Sequence, residues 1–469
     1  MKKITSLFLF FLAGFSFNLI FARAQSPTKL AAEIDRIIAS EFKAQEPGGV
    51  ALVAQKGRII YKKAFGMANM ELNVPMREEM VFNIASMTKQ FTAVAVLQLM
   101  EQGKLSLSDE ITKYLPDYPV NGQKITIENL LTHTAGIPGS DPSAITRLQG
   151  ERRLITLAEI IDTFKNRPLD FAPGTKMIYS NNGYMLLGAI IEKVSGTSYP
   201  KYLENNIFKP LGMTATHFGD DFIIVKNRAA SYIYSRAESQ FFNALNGKVE
   251  IAYSAGGIQS TAEDLFKWHQ ALNSYKLIKK ESLEKARTEF KLPNGKRTYY
   301  GYGWFIGNIQ GSPIVEHGGN MGGFMCHAIY LPQEDIYVLL LYNFRVPNRL
   351  PEFLAGDLAA LAINKPFNIR EITLDENLLK EYVGVYEEEG VERLITVENG
   401  KLYYQRVGAN KMIMKPYARD KFFFDNASII GEIKRDASGK IISLDLASKR
   451  GVSAGVLKRT DKPLPVPAK

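Results

Sequence analysis

At 469 residues, 46% of them hydrophobic and 23% charged, the chain is too long for one hydrophobic core and too apolar to stay unfolded, so two domains are expected. Its formal charge of +10 is spread along the sequence, with no basic run interleaved with aromatics, which excludes a nucleic-acid-binding protein; Lys62-Lys63, Arg152-Arg153 and Lys279-Lys280 read as solvated faces. A single cysteine excludes an intramolecular disulfide, and Cys326, preceded by Phe324 and Met325, reads as a buried thiol rather than a nucleophile.

In chain order, Lys2 and Lys3 precede an apolar run from Leu7 to Phe21 and the small-x-small stretch Ala22-Arg23-Ala24, the pattern of a secretory signal cut before Gln25. Gly14, Ser16 and Asn18 interrupt the run and argue against a permanent span. Residues 1–24 are therefore expected to be removed, leaving a periplasmic or secreted protein without a stable membrane anchor. Losing Lys2, Lys3 and Arg23 lowers the formal charge by three.

Leu30, Ile34, Ile37 and Ile38 fall at helical spacing in a helix expected over residues 30–45, and Val50 to Val53 and Ile59 to Tyr61 flank Lys56-Gly57 as a hairpin. Helical and loop material is expected from Phe82 to about Leu292. Strands return at Tyr302 to Ile306, Ser312 to Glu316, Phe324 to Leu331 and Ile336 to Tyr342. Residues 25–366 thus read as α/β: a largely antiparallel sheet flanked by helices, with an all-helical lobe inserted between early and late strands. A helix over Leu350 to Ile363 ends before Lys365-Pro366. Beyond it, residues 370–469 alternate at strand period: Tyr382 to Tyr386, Leu394 to Val397, Leu402 to Gln405, Met412 to Met414, Phe422 to Phe424, Ile430 to Ile433 and Ile441 to Leu446. These predict an all-β, barrel-like C-terminal domain.

Three stretches carry candidate chemistry. Ser86-Met87-Thr88-Lys89 puts a hydroxyl and an amine one helical turn apart, at the start of the helix containing Phe91, Val94, Leu97 and Met100, where free N–H groups favour a developing oxyanion. The same Ser-x-x-Lys spacing recurs at Ser26, Ser40, Ser198 and Ser282, so spacing alone decides nothing. Tyr179-Ser180-Asn181 supplies a phenol to share a proton with Lys89 and an amide that can donate to a substrate carbonyl and accept from Lys89. Glu316-His317-Gly318-Gly319-Asn320 supplies glycines that admit a substrate backbone and a histidine as donor, although His217-Phe218-Gly219 repeats the pattern elsewhere.

Together, and in this order, the three stretches resemble the serine β-lactamase and penicillin-binding superfamily, in its class C-like branch of esterases, carboxypeptidases and D-amino-acid peptidases. Leu130-Leu131-Thr132-His133-Thr134-Ala135-Gly136-Ile137-Pro138, Pro210-Leu211-Gly212-Met213, Ala255-Gly256-Gly257-Ile258 and Tyr302-Gly303-Trp304 extend the resemblance over about residues 27–365. It implies that Ser86 is acylated, that Lys89 and Tyr179 activate it, and that Asn181, His317, Gly318 and Gly319 line the substrate site. It also implies an oxyanion hole from the main chain of Ser86 and Asn320, with no metal and no cofactor. His133, His269 and His327 match no metal-ligand spacing and read as structural. The third motif is commonly Lys-Thr-Gly or His-Thr-Gly in that family. Gly318 removes the middle hydroxyl, which shifts expectation from β-lactams toward an ester or amide of a small peptide or D-amino-acid derivative.

Rival readings are weaker. Gly451-Val452-Ser453-Ala454-Gly455 matches a nucleophile elbow, but no histidine follows His327, and it reads as a turn. A penicillin-binding-like protein that binds peptidoglycan or acyl ligands without turnover has no need of Ser86, Lys89 and Tyr179 together. The C-terminal domain, resembling modules appended to peptidases of this branch, either shapes the cleft or spaces the enzyme.

Overall fold

The structure is a computed structural model that describes residues 27–465 except 221, 246, 347–348, 368, 389, 425–428 and 450–452. The expected signal segment lies outside the described residues. Helix α1 (Pro27–Glu41) buries Leu30, Ile34 and Ile38, the apolar stripe read from the sequence. Strands β1 (Gly49–Gln55) and β2 (Arg58–Phe65) form the hairpin, and helices α2 (Thr88–Glu101), α3 (Asn181–Ser195) and α4 (Ala262–Asn273) belong to the inserted portion. Four further strands, β3 (Phe305–Ile309), β4 (Ser312–Met321), β5 (Phe324–Leu331) and β6 (Ile336–Tyr342), complete a six-stranded sheet of order β3-β4-β5-β6-β1-β2. Each pairing is antiparallel, and β1 joins β6 in the register Gly49 with Tyr342 through Gln55 with Ile336.

The sheet separates two cores. On one face Leu52, Cys326, Ala328, Leu339 and Leu341 pack with α2 and α3. On the other Ala51, Val53, Ile329, Val338 and Leu340 pack with α1 and with α5 (Pro351–Ala362). Strands β5 and β6 are buried on both faces, which explains their unbroken apolar runs. Asn343 ties the sheet to its surroundings: Oδ1 accepts the Gly48 N–H at 2.7 Å while Nδ2 donates to Met67 and Ala230 carbonyls at 3.0 and 2.9 Å.

Among the described residues the insert departs from the helix and loop expected throughout, because Phe82–Asn83, Ile258–Ser260 and His217–Phe218 form a small antiparallel sheet. These pieces are two or three residues long, too short for alternation to show in sequence. The C-terminal portion opens with helix α6 (Glu376–Tyr382), capped by Asp375, where a strand was expected to begin at Tyr382. Eight strands then close a barrel: β7 (Gly384–Glu388), β8 (Val391–Glu398), β9 (Lys401–Arg406), β10 (Met412–Ala418), β11 (Lys421–Phe424), β12 (Ile429–Arg435), β13 (Ile441–Ser448) and β14 (Ser453–Arg459). The stretch read as a turn around Ser453 enters the closing strand, with Gly455 opposite Leu446; Gly451 and Val452 lie outside the described residues. Lys449 pairs with Asp357 of α5 at 3.2 Å, so this contact of the barrel reaches the sheet face opposite α2. Among the described residues no helix is long and apolar enough to cross a membrane.

Candidate active site

Ser86 sits in a tight turn that runs into α2. Ala85 before it has φ +45°, and Asn83 Oδ1 accepts the Ala85 N–H at 2.9 Å, holding a backbone conformation that costs about 1 kcal/mol or more for a residue with a Cβ. The next turn of helix brings Lys89 beneath the serine, its Nζ 3.1 Å from Ser86 Oγ. Lys89 is fully buried. Its Nζ also donates to Asn181 Oδ1 at 2.8 Å and to the Ala255 carbonyl at 2.8 Å. The sequence pointed to the first partner and missed the second, a main-chain group that no side-chain pattern announces. Helix α2 is fixed against that carbonyl by Thr88 Oγ1, which accepts the Ile258 N–H at 3.1 Å, and by Thr92 Oγ1, which donates to the Ser254 carbonyl at 2.6 Å.

Tyr179 precedes α3, whose first turn is capped by Ser180 Oγ accepting the Gly183 N–H at 3.2 Å. Its phenol faces Ser86, near enough for that hydroxyl to act on its proton. The residue is 36% exposed, yet it is packed closely enough that burial pushes the phenol above its ordinary range. Burial acts oppositely on Lys89, holding the amine well below the usual lysine range. Burial thus favours the neutral amine and the neutral phenol. A neutral amine has two N–H groups and one lone pair, which matches two carbonyl acceptors and one hydroxyl.

The third stretch lies within β4, alongside the Ser86 turn. A Cβ on Gly319 would stand 2.2 Å from the Ile84 carbonyl oxygen and 3.0 Å from Ala85 Cβ, so only glycine lets the strand lie this close to the nucleophile. A Cβ on Gly318 would meet His327 Nδ1 at 2.6 Å and the Cys326 carbonyl at 3.0 Å on β5; here too the lost side chain is a packing requirement. Asn320 is exposed. His317 departs from the expected donor role. Its Nδ1 lies 2.7 Å from the Gly318 carbonyl and its Nε2 3.1 Å from the Tyr300 hydroxyl. Burial lowers its pKa to about 3, so the ring is neutral, donates from Nδ1 and accepts from Tyr300, with no N–H left for a substrate. Cys326 is buried with its thiol pushed up by burial and donating to the Ile84 carbonyl, a structural thiol.

The β-lactamase family model matches residues 33–362. The chain belongs to the β-lactamase family. It is 28% identical over 403 residues to penicillin-binding protein 4* of Bacillus subtilis, covering 81% of this chain and 88% of that one. Among solved structures it is similar to the octameric penicillin-binding protein homologue from Pyrococcus abyssi, at TM-score 0.65 and 28% identity over 91% of this chain and 99% of that one. It is also similar to a D-stereospecific amidohydrolase from Streptomyces sp., at TM-score 0.59 and 26% identity over 72% of this chain and 98% of that one.

In this β-lactamase family member a pocket of about 530 Å³ lies between the start of α3 and the end of β4, lined by neighbours of the motif residues and by none of the motif residues themselves. Its walls include Met185, one turn beyond Asn181; Met321, next to Asn320; and Ala252, which approaches Gly256 beside Ala85. Gln149, Leu245, Gly247, Lys248, Ile251 and Gly322 complete it. A separate depression of about 630 Å³ also contains no motif residue, and it holds ion pairs of Lys62 with Glu78 at 3.2 Å and Lys267 with Asp264 at 2.9 Å. The decoy His217 lines that depression, bonded to Gln259. His269 lies far along α4 against Tyr337, and His327 pairs with Glu316 at 3.0 Å. Among the described residues no cluster of His, Cys, Asp and Glu could hold a metal.

Proposed function

We propose that this chain is an exported serine hydrolase that cleaves a small ester or amide, of D-amino-acid type, through an acyl-enzyme on Ser86. The observation that carries the reading is that the Lys89 amine hydrogen-bonds the Ser86 hydroxyl, with the Tyr179 ring 4.8 Å from that amine and its phenol facing Ser86. Lys89 takes the Ser86 proton as Oγ attacks the carbonyl carbon, and the positive charge of α2's N-terminus favours the oxyanion. As the tetrahedral adduct collapses, Tyr179 gives its proton to the leaving nitrogen or oxygen, and the new ammonium, 4.8 Å from its ring, stabilises the phenolate. Water then attacks the ester, returning protons along the same path. The D-configuration rests on the amidohydrolase likeness, and the nearby pocket, with Met185, Leu245, Ile251 and Met321 beside Gln149 and Lys248, has room for a substrate side chain. Export rests on the sequence of residues 1–24.

Labelling the folded protein with a fluorophosphonate and mapping the peptides should place the adduct on Ser86 and lose it in Ser86→Ala; a folded wild type without that adduct favours a binding protein instead. Against p-nitrophenyl acetate, D- and L-aminoacyl anilides and a chromogenic cephalosporin, turnover of the ester and of D-anilides should exceed that of the cephalosporin. The reverse order would refute the reading of Gly318.

A further inference from the structure

His133 makes three contacts around Tyr179 that the proposed chemistry leaves unused. The residue is buried, with its backbone in the left-handed region at φ +59°. From there its carbonyl accepts the Ile178 N–H at 3.1 Å and its Nδ1 accepts the Ser180 N–H at 3.1 Å. Its ring packs against the Tyr179 ring, centroids 4.3 Å apart and tilted by 34°. The chain on both sides of the tyrosine is thus tied to one residue that also supports the phenol face.

An N–H arriving at Nδ1 requires a lone pair there, so the imidazole is neutral and carries its proton on Nε2. Nε2 is buried without a hydrogen-bond partner among the described residues, and the rings of Tyr300 and Tyr184 lie 4.6 and 5.0 Å away. The charged and titratable groups facing the ring are Lys89 on α2, His317 on β4, Tyr184 on α3, Tyr179 and Tyr300. Burial, with Lys89 and His317 adding to it, opposes a charge on His133. A core histidine with no role would give Nε2 an acceptor; this one forgoes it and keeps Nδ1 on the Tyr179 segment.

We propose that His133 is a positioning residue for the hydrolytic reaction, a neutral clamp that fixes the Tyr179 phenol on Ser86 by holding the main chain on either side of it. The proposal rests on the reading of Ser86 as nucleophile. Misplacement of a reacting group by about 1 Å costs about 100-fold in rate, so the clamp is expected to act on the acylation rate and not on substrate affinity. In the full chain, His133→Phe keeps a ring and removes the acceptor, whereas His133→Asn keeps an acceptor and tolerates the left-handed backbone.

Stopped-flow acylation by a p-nitrophenyl ester tests this, reading the rate at saturation and the half-saturating concentration separately. His133→Phe should acylate about 100-fold more slowly with half-saturation unchanged within about 3-fold, and His133→Asn should recover to within about 10-fold of wild type. A folded His133→Phe at the wild-type rate, a loss confined to half-saturation, or a His133→Asn as slow as Tyr179→Phe would each overturn the clamp. Should His133→Phe fail to fold by circular dichroism, the rate of His133→Asn decides by the same limits. A wild type with no burst and no Ser86 adduct would overturn the hydrolase reading itself, a different result from a burst that His133 does not affect.

Discussion

Ser86 owes its expected reactivity to two opposed effects of one environment. The enclosure that weakens the hold of Lys89 on its proton strengthens that of Tyr179, which favours a base and an acid side by side without any charged partner. The pH profile of kcat/KM on an amide should follow. Below the lowered pKa of Lys89 the amine is protonated and the rate falls; above it the rate should stay flat to at least about pH 10, the ordinary tyrosine value, since Tyr179 holds its proton beyond that. An acid limb placed near the ordinary lysine value of about 10.4 would contradict this. Replacing either group, as Lys89→Ala or Tyr179→Phe, should lower kcat/KM by about 100- to 10,000-fold.

Strand β4 and the Ser86 turn approach so closely that Gly319 is obligatory at the level of the element. Gly319→Ala would drive a methyl into the Ile84 carbonyl, which cannot rotate away. It should cost about 1–3 kcal/mol in urea denaturation and slow Ser86 labelling, because the strand must withdraw from the nucleophile; an unchanged midpoint with unchanged labelling would show that β4 yields without cost. How far the elements were legible follows from length and locality. Ser86 and Lys89 share a helix turn, so their contact is written in their spacing, and the long runs of β5 and β6 announce buried strands. Lys89 meeting Asn181 and Ala255 depends on how distant segments pack, and the Ala255 carbonyl carries no residue-type signal. His133 read as structural because its hold on Tyr179 arises from a loop crossing. The alternation of Tyr382-Val383-Gly384-Val385-Tyr386 starts the strand two residues early, at the last residue of α6, a helix that only its cap Asp375 announces; β14 is hidden because Gly451 to Gly455 looks like a turn.

For the whole molecule, burial of imidazoles sets the response to acid. Burial lowers the pKa of His133, His269 and His317, the last to about 3. Unfolded, each takes up a proton near 6.5, which the folded state refuses, so stability should fall as pH drops from 7 toward 3. Asp35, Glu46 and Asp420, whose pKa values are lowered by partners, add their own loss only below about 4. Urea denaturation at pH 5 should therefore show about 2–6 kcal/mol less stability than at pH 7, and equal values would mean the imidazoles are hydrated. The order of the central sheet has a further consequence, in time rather than energy. Strand β1 needs β6, and Gly49 waits for Tyr342. At about 5–20 residues per second on the ribosome, an emerging chain spends roughly 15–60 s with its most apolar N-terminal ribbon open to aggregation, a delay that a holding chaperone must cover.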